Sequence, residues 1–60
     1  MWLHMLITIG EVWRLNVHGR EDEVKIVHVD KTVVQFRFKD STYVETCGRQ
    51  LFESLYVWVR

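Results

Sequence analysis

The segment from Glu23 to Lys39 reads EVKIVHVDKTVVQFRFK and decides the fold class of this chain. β-branched and aromatic residues dominate it and alternate with polar residues, which is typical of half-buried β-strands. A short polar stretch, residues 30–32, separates the two alternating runs and has a common hairpin-loop length. The sequence therefore predicts a β-hairpin with strands at Glu23–Val29 and about Val33–Lys39.

Burial of the large apolar side chains specifies the register of this hairpin. Pairing Val24 with Phe38 and Ile26 with Phe36 places all four side chains on one face. A slip of one residue would move the apolar side chains of one strand to the opposite face of the sheet. We therefore expect this register to be well defined.

Three further strands and a short helical turn are predicted around the hairpin. The strands are Glu11–Val17, Thr42–Cys47 and Tyr56–Val59, and the helical turn lies within Gly48–Ser54. This order resembles that of Src-homology-type and Tudor-like small barrels. The expected fold is all-β, a small five-stranded, Src-homology-like, partly open barrel with one short helical turn before the last strand. Residues 1–9 are interpreted as a lead-in or an extra strand.

The composition is that of one small domain, residues 1–60. A chain of this length buries only about 60% of its unfolded surface. Its 48% apolar residues include three Trp, three Phe and two Tyr, and each aromatic side chain buries about 150–250 Å². A single cysteine, Cys47, provides no disulfide within the chain and favours a reducing compartment. The aromatic residues are therefore expected to form the core.

Net charge and hydropathy narrow the range of partners. The formal net charge is zero, whereas strong non-specific binding to nucleic acid usually requires an excess of Lys and Arg. The apolar run Trp2–Ile9 is shorter than the roughly 20 residues of a membrane span. It also lacks the basic start and the small-residue cleavage site of a secretory signal. We expect a cytoplasmic protein with no membrane association.

The sequence contains no recognisable catalytic or metal-binding pattern. The soft ligands are His4, His18, His28 and Cys47, and no two of them have the short spacing of zinc ligands. The predicted register places His28 on the inward face opposite Val34, and strand parity places Cys47 on the outer face without a base beside it. No phosphate loop, nucleophile elbow or paired-carboxylate pattern occurs. The prediction is no enzyme activity, no cofactor and no metal.

The outer face of the hairpin offers a candidate nucleic-acid contact. Lys25 is predicted opposite Arg37, with Lys39 one pair further along, and these three residues are called the basic strip. The strip would contact phosphates, and Tyr43, whose strand parity matches that of the strip, would add an outward aromatic ring. Alternatively, Glu23 faces Lys39 and extending the meander places Glu45 beside Arg37, so that these acids form an alternating charge lattice with the strip and neutralise much of it.

Two other surfaces are candidate protein contacts. Glu21 and Asp22 lie in an acidic loop, which is either the solvated end of a loop or a site for a basic partner surface. Val27, Val29 and Val33 would face water together on a regular hairpin, which is unusual in a stable monomer. They form either a protein or dimer contact or, if a bulge bends the second strand, part of the buried interior.

The chain resembles certain prophage-encoded small proteins, a family without an established function. The resemblance covers about residues 10–59 and is carried by the spacing Gly10-Glu11-Val12-Trp13-Arg14, Val24-x-Ile26-x-x-Val29, Val34-x-Phe36 and Cys47 with Phe52 following. It implies a phage or prophage accessory protein. We expect a non-enzymatic binding module that binds a host protein. The alternatives are a nucleic-acid-binding barrel that uses the basic strip, and a structural homo-oligomer such as a homodimer.

Overall fold

Five antiparallel strands form a curled half-barrel, with one short helix before the last strand, in a computed structural model that describes residues 6–59. The elements are β1 (Val12–Leu15), β2 (Glu23–Val29), β3 (Val33–Phe38), β4 (Glu45–Gly48), α1 (Arg49–Leu55) and β5 (Tyr56–Val59). The sheet order is β4-β3-β2-β1-β5. The predicted all-β fold and the order of its elements are confirmed. The likeness to Src-homology-type barrels stays a prediction.

The half of the β2–β3 hairpin away from the turn has the predicted register. Val24 pairs with Phe38 and Ile26 with Phe36. Val24 and Ile26 are 1% exposed and Phe36 is 4% exposed, so their shared face is the inside of the half-barrel. Burial of a large apolar side chain contributes about 1.5–3 kcal/mol, and this alternation is therefore enough to fix the register.

A β-bulge changes the register in the other half of the hairpin. The pairing shifts between Ile26 and His28, so that Val27 is an extra residue in β2 and His28 pairs with Gln35. The prediction that His28 lies inward opposite Val34 is therefore wrong, and His28 is exposed. Val29 takes the position opposite Val34 and packs against the core. Because of the bulge, Val29 rather than His28 lies on the inner face opposite Val34.

The predicted three-residue turn between β2 and β3 is confirmed, and Asp30 organises it. Its carboxylate accepts hydrogen bonds from the backbone N–H groups of Thr32 and Val33, both at 2.9 Å. The Asp30 backbone N–H donates to the carbonyl of Val33 at 3.0 Å. These hydrogen bonds, that of Thr32 before that of Val33, hold the pKa of the Asp30 carboxyl below its usual value, because they favour the charged form.

Aromatic side chains fill the interior of the half-barrel. Phe52 is the only buried residue of α1 and is fully enclosed. Its ring stacks on Tyr56, with centroids 4.4 Å apart, and lies 5.3 Å from Phe36 and 5.4 Å from Trp13. A helix of seven residues is not stable alone, so this insertion holds α1 against the sheet.

The chain before β1 also contributes to the core. Gly10 adopts a positive φ of 94°, which favours glycine, and its N–H donates to the carbonyl of Ile26 at 2.8 Å. The carboxylate of Glu11 accepts hydrogen bonds from the Thr8 backbone and from Trp13 Nε1. Ile7 is 5% exposed and belongs to the core. Leu6–Ile9 therefore forms a lead-in rather than a strand, while residues 1–5 lie outside the described part of the chain.

The predicted register between β3 and β4 is wrong by one residue. Glu45 pairs with Phe36 instead of Arg37, and Cys47 pairs with buried Val34. Cys47 is consequently half-buried and packs against the core, which corrects its predicted place on the outer face. The strand itself begins three residues later than predicted, because the segment from Thr42 to Val44 contributes no side chain to the core.

Other predicted positions also differ from the structure. β1 is shorter than Glu11–Val17, and Val17 is 41% exposed in an isolated bridge to Arg20. Trp13 is in the core as expected, but Trp58 on the terminal strand is 40% exposed. Leu51 is 56% exposed although its helical neighbour Phe52 is fully buried. The apolar residues near the ends of the elements are therefore less enclosed than their hydropathy indicates.

Candidate charged interaction surface

The basic strip lies on the outer face of β2 and β3. Lys25 and Arg37 are directly paired across the two strands, as predicted, and both are exposed. The backbone N–H of Lys39 donates to the carbonyl of Glu23, which places these two residues side by side just beyond the end of β3. Like charges in directly opposed positions are destabilising by a few tenths of a kcal/mol or more.

A fourth cation extends the basic strip onto β1. Arg14 is exposed and pairs with Glu23 of β2, on the side of Glu23 away from Lys39. Glu23 therefore lies between two cations. The basic strip and Arg14 are together called the cation cluster. Arg14 was not predicted as part of this surface. The sequence does contain the signal, because an inward Trp13 and antiparallel pairing of β1 with β2 place Arg14 on the outer face beside Glu23.

No member of the cation cluster forms an ion pair with another residue among 6–59, although Glu23 lies between Arg14 and Lys39. The ion pairs between described residues involve Arg20 with Asp22, His28 with Asp30, and Arg49 with Glu53, and include no member of the cluster. The predicted neutralisation of Arg37 by Glu45 fails, because the corrected β3–β4 register places Glu45 opposite Phe36. Glu23 is the one acid among residues 6–59 that pairs with a strand position of the cluster.

A shallow depression opens on the basic strip. It has a volume of about 340 Å³, and its lining includes all three residues of the strip together with the acid Glu23, Val12 and Ser41. This volume is at the lower end of the range for ligand sites. It has room for one or two side chains of a partner. Chemically, the site offers positive charge and hydrogen-bond donors to a small anionic group.

An acidic rim adjoins this depression. A second depression, lined by Glu21, Asp22, Asp40 and Lys39 among others, shares part of its wall with the first. We call Glu21, Asp22 and Asp40 the acidic rim. Arg20 donates to the Asp22 carboxylate from Nε at 3.0 Å and also from Nη2, so this acid is partly neutralised. The surface therefore has a basic half and an acidic half in contact.

The other predicted contact residues are not part of this surface. Val27, Val29 and Val33 are half-buried, and of the three only Val29 packs against the core, beyond the bulge. Tyr43 is 77% exposed but precedes β4 and lines neither depression. The basic strip thus has no aromatic platform at the position predicted for Tyr43.

Within residues 6–59, neither a metal site nor a reactive cysteine is found. No group of three or more His, Cys, Asp or Glu in this range has the geometry to hold a metal ion. Burial raises the pKa of the Cys47 thiol, so the sulfur is protonated near neutral pH and is a weak nucleophile. His4 lies outside the described residues.

Comparison with protein-family models, with curated proteins and with solved structures found no match. The resemblance to prophage-encoded small proteins therefore stays a prediction. Within residues 6–59, no helix has the length and apolar character that crossing a membrane requires.

Proposed function

We propose that this chain is a non-enzymatic protein-binding module, a phage or prophage accessory protein that binds a host protein in the cytoplasm. The observation that supports this most is the exposed cation cluster beside the acidic rim, since no member of the cluster forms an ion pair within residues 6–59. Exposed charges of both signs on one surface favour a partner whose own surface carries both signs. The cation cluster is the main contact in this proposal and the acidic rim is the secondary contact.

Protein is favoured over nucleic acid as the partner because of the acidic rim. Double-stranded DNA carries one negative charge per roughly 1.7 Å of helix axis. A duplex that contacted the basic strip would also pass close to Glu21 and Asp40, which have no ion pair with another described residue. A protein partner avoids this repulsion, since its acidic groups need only cover the cation cluster.

Capture from a bacterial lysate tests the proposal when it is combined with charge reversal. The double variant Lys25→Glu/Arg37→Glu retains two like charges at the same exposed positions, so its stability should stay close to that of wild type. Lys31→Gln removes a cation from the exposed turn, outside the cation cluster, and is the control for loss of a positive charge elsewhere on the surface. Wild type and the control should retain the same stoichiometric protein, and the double variant should lose it.

Two results would overturn the proposal. The first is the absence of any stoichiometric protein in repeated captures with wild type. The second is a partner that the double variant retains as well as wild type does. Circular dichroism of each variant would verify that the fold is intact before capture.

A nucleic-acid-binding function is the second candidate, and the uncompensated Lys25–Arg37 pair favours it. Binding to single- and double-stranded oligonucleotides should be measured at about 50 mM and about 200 mM salt, because phosphate binding weakens steeply with salt. Binding at low salt that the double variant abolishes would support this candidate over a protein partner. No binding at low salt would eliminate it.

A structural homo-oligomer is the remaining alternative, because the cation cluster of one copy could face the acidic rim of another. Light scattering across a dilution series tests this directly. A mass that stays at that of one chain at all concentrations would remove it. A mass that falls on dilution, and does so more readily at high salt, would support charge-mediated pairing of two copies.

A further inference from the structure

We propose that the cation cluster binds an extended acidic segment of the partner, in which carboxylates occur at alternate residues. This inference rests on the proposed protein-binding function and adds the class of ligand. Its basis is the spacing of the cations, the size of the depression that they line and the charges that surround them.

The spacing of the cations follows the repeat of an extended chain. Arg37 lies on β3 and Lys39 directly follows its last residue, Phe38. Because Phe38 is extended, the Cα atoms of Arg37 and Lys39 are separated by about 6.8 Å. An extended peptide that lies along β3 has the same two-residue repeat, and its alternate side chains point to the same side. Acidic residues at alternate positions would therefore contact Arg37 and Lys39 together. In a block of consecutive acids, half of the carboxylates would point away.

Lys25 on the neighbouring strand adds a second contact, and Arg14 lies one strand further away. Lys25 lies beside Arg37 at a strand spacing of about 4.8 Å, so both can contact the same carboxylate. Arg14 lies two strands from Lys39, on the far side of Glu23. A segment that follows β3 places its acidic side chains close to Lys39, on one side of Glu23. Where the segment comes near Glu23 itself, a neutral or basic residue fits.

The depression over the basic strip limits the size of the groups that enter it. Its volume of about 340 Å³ accommodates one or two side chains. The acidic rim continues from one end of the strip and repels a longer run of negative charge. Two carboxylates, separated by a small uncharged residue, satisfy both conditions.

Nuclear magnetic resonance titration of the full chain with synthetic peptides tests the inference. One probe, the alternating peptide, is an octapeptide of Ser with Glu at positions 4 and 6; a second, the block peptide, has the same composition with its two Glu adjacent at positions 4 and 5, so that only one of them can face the strip. A single-stranded oligonucleotide of eight nucleotides is the third probe. At about 50 mM salt, the alternating peptide should bind about threefold or more tightly than the block peptide, which corresponds to one additional exposed ion pair.

Variants assign the binding to the cation cluster. Lys25→Glu/Arg37→Glu should weaken binding of the alternating peptide by about tenfold, because two attractive contacts become repulsive. Arg14→Gln should weaken it less, since Arg14 is separated from the strip by Glu23, and Lys31→Gln should leave it unchanged. Amide shifts should be largest along β2 and β3.

Three results would overturn the inference. Equal affinities for the alternating and block peptides would remove the role of spacing. An equal loss with Lys31→Gln would show attraction to the overall charge only, and tighter binding of the oligonucleotide than of either peptide would assign the surface to nucleic acid. If the peptides fail to bind while a host protein is still captured in a manner that depends on Lys25 and Arg37, the protein-binding function stands and the ligand class is wrong.

Discussion

The inner face of the β2–β3 hairpin stabilises the fold, whereas the like charges on its outer face destabilise it. On the inner face Val24, Ile26 and Phe36 are almost completely buried, and each contributes about 1.5–3 kcal/mol. On the outer face the exposed pair Lys25–Arg37 opposes folding by a few tenths of a kcal/mol to about 1 kcal/mol. Because the inner term is larger, the fold tolerates a repulsive pair on its surface. The inner face thus determines the structure, while the outer face is available for binding.

The largest expected difference in stability is between two single-residue deletions in the hairpin. Deleting Val27 removes the extra residue of the bulge and leaves every other pair of the two strands in register, so the chain should still fold with a loss of about 1–2 kcal/mol. Deleting Arg37 makes Phe36 and Phe38 adjacent, and only one of them can then face inward. That variant should not fold. Circular dichroism and urea unfolding would measure both.

The deletion experiment has a clear contrary outcome. If the Val27 deletion unfolds the chain as completely as the Arg37 deletion, the bulge is required to bend β2 and is not merely tolerated. If both deletions fold, the register of the inner face is less specific than its burial indicates.

Substitutions in α1 compare the inner and outer environments within one helix. Phe52→Ala should lower the free energy of unfolding by about 3–5 kcal/mol, because it leaves a cavity among Trp13, Phe36 and Tyr56. Leu51→Ala, at an exposed position, should change it by less than about 0.5 kcal/mol. Urea unfolding followed by Trp fluorescence gives both values. Similar losses in the two variants would contradict the position of Phe52 at the centre of the core.

Acid should weaken the turn between β2 and β3 through Asp30. The pKa of this carboxyl is lowered in the folded state, so its contribution to stability is complete above about pH 4 and is lost as the pH falls through the folded pKa. Asp30→Ala should have a lower Tm than wild type at neutral pH, and the difference should shrink in acid. Lys31→Ala, at the next position of the turn, is the control. A difference between wild type and Asp30→Ala that is independent of pH would contradict this role.

The sequence predicted the elements that strong inward alternation specifies. In β2 and β3 the residues Val24, Ile26 and Phe36 leave no competing register, and the boundaries of β2 and β5 were predicted correctly. The bulge was harder to predict, since Val27 and Val29 are both apolar and either of them could begin the shifted register. Only the burial of the partner Val34 decides between them.

The strand β4 was predicted, but its first residue and its register were wrong, because its sequence carries little information about which side chains face the core. Tyr43 and Val44 are apolar but exposed, while Cys47 is the residue of this strand that packs against the core. Alternation therefore indicated a strand that begins too early and a register wrong by one residue. The error altered the interpretation of the surface, because it placed Glu45 beside Arg37. The basic strip itself was predicted correctly as a set of neighbours on β2 and β3, and Arg14 was missed.

A double-mutant cycle on Lys25 and Arg37 tests the unneutralised outer face most directly. The free energy of unfolding would be measured for wild type, Lys25→Gln, Arg37→Gln and the double variant, at low salt and at about 1 M salt. We expect an unfavourable coupling of a few tenths of a kcal/mol at low salt that disappears at high salt, where the Debye length is about 3 Å. A coupling that is zero or favourable at low salt would show that nearby acids already neutralise the pair, and would contradict the account.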